Sequence, residues 1–241
     1  MTTESVRLAL VLPDLLGTYG DRGNVLVLER RLAWRGIPSE TITVLSSSQA
    51  LPESCDLYLL GGGEDVAQQA AVSFLGRSRG LQRAVAGGSV VLGICGGLQV
   101  LGTAFTTGDG LRNHGMGLVD VETRPGTARA IGEITTRAGL DGVGTLTGFE
   151  NHLGRTVLGP GARPLGTVVR GVGNGHDEAE GAVNGHVVCT YMHGPVLARN
   201  PALADLLLEW AVGEELMPLP EMPELTELRQ ERTRTPVRQR K

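Results

Sequence analysis

"VLGICGGLQVLG", residues Val91–Gly102, ends an apolar run on a cysteine set between glycines. The segment "SVVLGI" (Ser89–Ile94) reads as a buried strand, and after Cys95 the chain turns at Gly96-Gly97 into an apolar helix. Gly93-Ile94-Cys95-Gly96-Gly97 matches G-x-nucleophile-x-G with cysteine in place of serine. Such a turn holds its apical residue in a strained conformation, and the flanking positions are glycine because a Cβ would clash. The sulfur then sits at a helix N-terminus, whose dipole and free N–H groups favour a thiolate. The N–H of Gly96 would face a developing oxyanion. From spacing alone, a buried structural cysteine at a glycine-rich strand end remains the alternative.

Outward from this turn, strands alternate with helices. "RLALVLP" (Arg7–Pro13), "ETITVL" (Glu40–Leu45) and "DLYLL" (Asp56–Leu60) read as strands. Val25, Leu28 and Leu32 recur at helical spacing, with Asn24 as an N-cap and Gly36 as a stop. A helical stretch runs from the third strand to about Ala86. Apolar strands between helices indicate a mostly parallel sheet covered on both faces, an α/β fold. From about Leu111 to Arg170, short β-branched runs among glycines predict an antiparallel extension or long hairpins. "GHVVCTYMHGP" (Gly185–Pro195) returns a buried strand, and "PALADLLLEWAVG" (Pro201–Gly213) an amphipathic helix. Residues 1–213 read as one domain. The Pro/Arg-rich tail, 214–241, reads as surface-draped or disordered, with a basic cluster at Arg229, Arg232, Arg234, Arg238, Arg240 and Lys241.

Bulk composition narrows the class. Of 241 residues, 41% are hydrophobic and 20% charged, ordinary for a chain that buries a core. Aromatics at 3% and a net charge of −4 argue against a nucleic-acid partner. The start lacks the pattern of a secretory leader, and no apolar stretch reaches the ~18 residues of a membrane span. Cys55, Cys95 and Cys189 are odd in number and widely spaced, which suggests neither a disulfide framework nor a zinc knuckle. Reduced and cytoplasmic is the expectation.

A thiol nucleophile wants a base, and His193 follows the strand Val187–Tyr191. Strands of a parallel sheet end on one edge, so residues 95 and 193 can meet there although distant in sequence. His152 in "GFENHLGRT" is the rival base, while His114, His176 and His186 have weaker contexts. Cys189 lies mid-strand and Cys55 before a strand, so both read as structural. Gly61-Gly62-Gly63 could bring a backbone N–H close to the sulfur. No phosphate-binding loop pattern and no metal-ligand spacing is present, so neither a metal nor a nucleotide site is expected in this chain.

"LLGGGEDVAQ", "VLGICGGLQVLG" and "TYMHGP" together resemble class I glutamine amidotransferases of the cobyric-acid-synthase-like branch, over about Arg7 to Gly213. "GTYGDRGN" and "GFENHLGRT" narrow the resemblance to the glutaminase subunits of lipid II isoglutaminyl synthases. The resemblance implies a flavodoxin-like sheet and hydrolysis of L-glutamine to glutamate and ammonia by Cys95 and His193. It implies an oxyanion hole from Gly62 or Gly63 with Gly96, and substrate contacts from Gln99 and from Arg129 in "ARAIGE". It also implies a heterodimer with a MurT-like ATP-dependent ligase subunit, which would bind ATP and amidate the D-glutamate of lipid II near the inner membrane face. Triad-type relatives carry a glutamate two residues after the histidine, where this chain has Pro195. The third acid would then be absent, or come from Glu150, Asp14 or the partner. Other acceptors (corrinoid-like or small-molecule), a non-catalytic binding subunit and a partner-independent cysteine hydrolase are the competing readings.

Overall fold

The computed structural model describes residues 5–175 and 177–234. Its main sheet has six strands: β1 (Val6–Val11), β2 (Ser39–Val44), β3 (Leu57–Leu60), β4 (Val90–Ile94), β11 (Ala182–Asn184) and β12 (Val187–Thr190). Their spatial order is β11-β12-β4-β3-β1-β2. The β2–β1, β1–β3, β3–β4 and β4–β12 pairings are parallel, and only β11 runs antiparallel.

Both faces of this sheet are covered, and the two-residue strand period shows how. Leu8, Leu10, Leu57, Leu59, Leu92, Ile94 and Val188 enter one core, with helices α1 (Gly23–Ala33) and α6 (Pro201–Val212) over them. Ala9, Val11, Tyr58, Leu60, Val91, Cys189 and Tyr191 enter the other. That second core is closed by α2 (Asp65–Leu75), α3 (Gly80–Ala86) and α4 (Gly96–Leu101). The stretch read as one helical run to Ala86 is thus two helices, separated where Arg79 turns to φ +53°. Asn24 does not cap α1. Its side chain is buried, donating to Asp21 O and accepting from Leu197 N at the start of α5 (Val196–Arg199).

The antiparallel extension is a second sheet built on two long strands, β7 (Val121–Ala138) and β8 (Thr145–Leu158). Short strands β5 (Ala104–Thr106), β6 (Arg112–His114), β9 (Gly166–Arg170) and β10 (Ala179–Glu180) complete it. The two sheets join where Phe149 of β8 exchanges backbone hydrogen bonds with His193, at 3.0 and 2.8 Å.

Within the stretch read as a draped or disordered tail, Pro223–Arg234 forms helix α7. It has no apolar stripe to announce it. Arg229 attaches it instead, donating to Thr145 O at 2.5 Å, Asn200 Oδ1 at 2.8 Å and the Arg199 carbonyl. Arg238, Arg240 and Lys241 of the basic cluster, and His176, lie outside the described residues.

The turn from β4 into α4 depends on the absence of side chains. A Cβ on Gly97 would lie 2.6 Å from Leu60 O, and one on Gly93 2.5 Å from Leu101 Cδ1. Gly97→Ala therefore forces β3 and α4 apart. It is expected to cost about 1–3 kcal/mol, read as a lowered midpoint in urea or thermal unfolding.

Candidate active site

The parallel strands β1, β3, β4 and β12 all end on one edge, and the sequence places a different chemistry after each. A tyrosine- and aspartate-bearing loop follows β1, glycines 61–63 follow β3, Cys95 ends β4, and His193 follows β12. Of these, Tyr19, Gly62, Gly63 and Cys95 line a cleft of about 120 Å³ whose far side is formed by Pro125 and Arg129 of β7 and residues 151–154 of β8; His193 lies behind it, against Gly62 and Tyr19.

Cys95 has φ +52° and ψ −103°, a strained conformation for a residue with a Cβ. Its N–H donates to Thr190 O of the neighbouring strand at 2.8 Å, and the Gly96 N–H is directed at the sulfur. Burial pushes the Cys95 thiol up to about 12, the Asp21 charge adds to this, and the Gly96 N–H opposes it. Desolvation thus opposes the stabilisation of a thiolate that the helix N-terminus offers.

His193 is 1% exposed. Its Nδ1 lies 3.1 Å from Asp21 Oδ1, while Nε2 is buried with no hydrogen-bond partner among the described residues. An imidazole that donates from Nδ1 to a carboxylate presents Nε2 as an acceptor, the tautomer a base requires. Asp21 is 4% exposed, and its Oδ2 also accepts the Gly62 N–H at 2.9 Å. A Cβ on Gly62 would sit 3.0 Å from His193 Cε1, 3.4 Å from Asp21 Oδ2 and 3.5 Å from Cys95 Cβ, so this glycine marks where the three meet.

Two expectations change here. Asp14 lies at the surface on Ser46, and Glu150 accepts the N–H groups of Val172 and Gly173. Neither reaches His193; the acid that does is Asp21, in the "GTYGDRGN" loop. The Gly62 N–H, one of the expected oxyanion donors, is already committed to Asp21. Gly63 and Gly96 are left side by side, since a Cβ on Gly96 would lie 2.7 Å from Gly63 N.

His152 lines the cleft, but both its nitrogens are engaged, with Gly154 O at 3.0 Å and Glu150 Oε2 at 3.4 Å. Its ring stacks on Tyr191 at 3.8 Å, bracing the floor of the site. His186 stacks on Trp210 and its Nδ1 lies 3.2 Å from Gly88 O, while His114 lies on β6 of the second sheet. Cys55 and Cys189 are buried in the second core. Gln99 sits one turn beyond Cys95, lines the cleft and hydrogen-bonds the Tyr191 side chain. Arg129 projects from β7 to the rim. Its Nη1 donates to Asn151 Oδ1 at 2.9 Å, and Asn151 Nδ2 donates to Tyr19 Oη at 2.6 Å. The Tyr19 ring in turn lies 4.8 Å from that of His193.

Among the described residues, no group of three or more His, Cys, Asp and Glu side chains is arranged to hold a metal ion, and no helix is long and apolar enough to cross a membrane.

Asp21→Asn keeps the shape of this arrangement and removes its charge. Hydrolytic turnover is expected to fall by about 10²- to 10⁴-fold, as when a histidine loses its orienting carboxylate. The Cys95 thiol should at the same time titrate lower, because a charge that raised it is gone. The rate of iodoacetamide alkylation against pH reads this as a curve displaced to lower pH.

The chain also matches known proteins. Residues 7–201 match the CobB/CobQ-like glutamine amidotransferase domain. The chain is 36% identical to lipid II isoglutaminyl synthase (glutamine-hydrolyzing) subunit GatD of Staphylococcus aureus (strain N315), over 85% of this chain and 84% of that protein. It is 35% identical to the GatD subunit of Streptococcus pneumoniae (strain ATCC BAA-255 / R6), over 84% and 78%. A solved structure described as a glutamine amidotransferase superposes with a TM-score of 0.58 at 18% identity, over 86% of this chain and 99% of that one. That last similarity speaks to the fold alone.

Proposed function

The chain belongs to the CobB/CobQ-like glutamine amidotransferase family, and we propose that it is the glutaminase subunit of a lipid II isoglutaminyl synthase. The observation that supports this most is the free Nε2 of a buried histidine whose Nδ1 is held by a carboxylate, beside a strained cysteine in a cleft.

In this reading Cys95 Sγ attacks the side-chain carbonyl carbon of glutamine while its proton passes to His193 Nε2. The carbonyl oxygen, now carrying the negative charge, is met by the N–H groups of Gly63 and Gly96. The C–N bond breaks as the nitrogen takes the proton from His193 and leaves as ammonia. Water then gives a proton to Nε2 and attacks the thioester, and the sulfur departs with that proton, releasing glutamate. Asp21 holds the Nδ1–H and stabilises the transient imidazolium. Arg129 meets the substrate α-carboxylate, with Asn151, itself bonded to Tyr19 Oη, holding its guanidinium at the rim. Gln99 supports the floor under the substrate.

The lipid II acceptor is inferred from the names of the GatD relatives. Ammonia is useful only where an acceptor carboxylate has been activated, and this chain has no recognisable ATP-binding motif. A MurT-like ATP-dependent ligase subunit would supply that chemistry, amidating D-glutamate of lipid II to D-isoglutamine. The pair would work in the cytoplasm at the membrane face that carries the lipid-linked acceptor. Residues 1–213 form the amidotransferase domain in this reading, and 214–241 its appended tail.

Ammonia and glutamate release from glutamine, measured for the chain alone and with its ligase, tests the proposal. Cys95→Ala is expected to lower turnover about 10⁴-fold or more. Arg129→Ala should raise KM for glutamine roughly 10- to 100-fold with little change in kcat, because it removes a charged contact made before and during reaction. Wild-type protein that releases no ammonia in either setting would return the chain to a non-catalytic binding role.

A further inference from the structure

Gln68 stands beside the reacting groups, and the chemistry above leaves it unused. It extends from α2 and lines the cleft together with Cys95, yet it is only 4% exposed. Its Nε2 donates to the Gly63 carbonyl at 2.9 Å. That bond fixes which end of the amide faces Gly63, because a carbonyl can only accept. Oε1 therefore faces away from Gly63, and it is buried without a hydrogen-bond partner among the described residues. A buried carboxamide oxygen in this condition is unfavourable until a donor meets it.

The neighbourhood indicates which donor. A Cβ on Gly96 would lie 2.7 Å from Gly63 N and 3.4 Å from Gln68 Nε2, so the Gln68 amide flanks the pair of glycines assigned to the oxyanion. In a tetrahedral carbon held there, the oxygen and the amide nitrogen share one centre. The Gln68 atom nearest Gly96 is the donor Nε2, and Oε1 shares its carbon, so the unpartnered acceptor lies next to the glycine pair, beside the place where a scissile carboxamide would bring its N–H groups.

We propose that Gln68 Oε1 accepts a hydrogen bond from the carboxamide N–H of glutamine and so selects a primary amide at the scissile group. This rests on the glutaminase reading and deepens it. The amide nitrogen carries two N–H bonds in the substrate and gains a third from His193 on leaving, so a donor is present at every stage. A γ-ester offers none and leaves Oε1 unpartnered. The glutamate product sets a carboxylate oxygen against Oε1, which favours its release.

The test compares kcat/KM of the full chain, with its ligase subunit present, for glutamine and for L-glutamate γ-methyl ester. Gln68→Met removes the acceptor, and the glutamine-to-ester ratio is expected to fall 10-fold or more. Gln68→Glu is isosteric, keeps an oxygen acceptor and loses the donor to Gly63, so it should slow both substrates while keeping most of that ratio. Equal losses on the two substrates in Gln68→Met would assign Gln68 a purely structural role and overturn the proposal. If Gln68→Met fails to fold, a collapsed ratio in Gln68→Glu overturns it instead. Wild-type protein that turns over neither substrate would refute the glutaminase reading itself, and the amide selection with it.

Discussion

The arrangement depends on one buried carboxylate. Asp21 lies between His193 and the backbone of Gly62, and through them it joins the loops that follow β1, β3 and β12. Burying a carboxylate is costly unless its lone pairs are met, and a backbone N–H and an imidazole N–H meet them here. The same contacts dictate the histidine tautomer, so fold and chemistry are set by one interaction. Removing either partner leaves the other buried and unsatisfied, which costs far more than the pair itself contributes.

Around that pair the site balances strain against solvation. Cys95 is held at positive φ by the turn from β4 into α4, and Gly96 and Gly97 after it lack side chains so that β3 and the loop that follows it can approach. Burial pushes its thiol up, the nearby Asp21 charge adds to this, and the Gly96 N–H opposes it. The arrangement supplies an oriented base, ready when substrate brings its carbonyl into place. The orphaned Nε2 of His193 and the orphaned Oε1 of Gln68 are both buried in this site. A protein tolerates such atoms where a ligand completes them.

Much of this was legible in the chain, and the physical reasons for the exceptions are specific. The buried strands announce themselves as apolar runs because both faces of a parallel sheet are covered. The elbow at Cys95 is legible because its glycines are forced by close approach. Asp21 was not, because its partner is 172 residues away and no local spacing connects them. The commitment of the Gly62 N–H likewise depends on a loop from another strand. Helix α7 escaped a reading by hydrophobic period because it is attached by the hydrogen bonds of Arg229 and not by an apolar face. Composition suggested a tail; only tertiary contact reveals the helix.

The most direct measurement is to stop the protein in acid during turnover of glutamine and examine its cysteines by mass spectrometry. The account predicts a γ-glutamyl group on the peptide carrying Cys95, absent from those carrying Cys55 and Cys189, and lost on chasing with buffer before the quench. It predicts less of that adduct in Asp21→Asn, where the base is no longer oriented. Glutamine hydrolysed at wild-type rate with no acyl group on Cys95, or by Cys95→Ala, would contradict it.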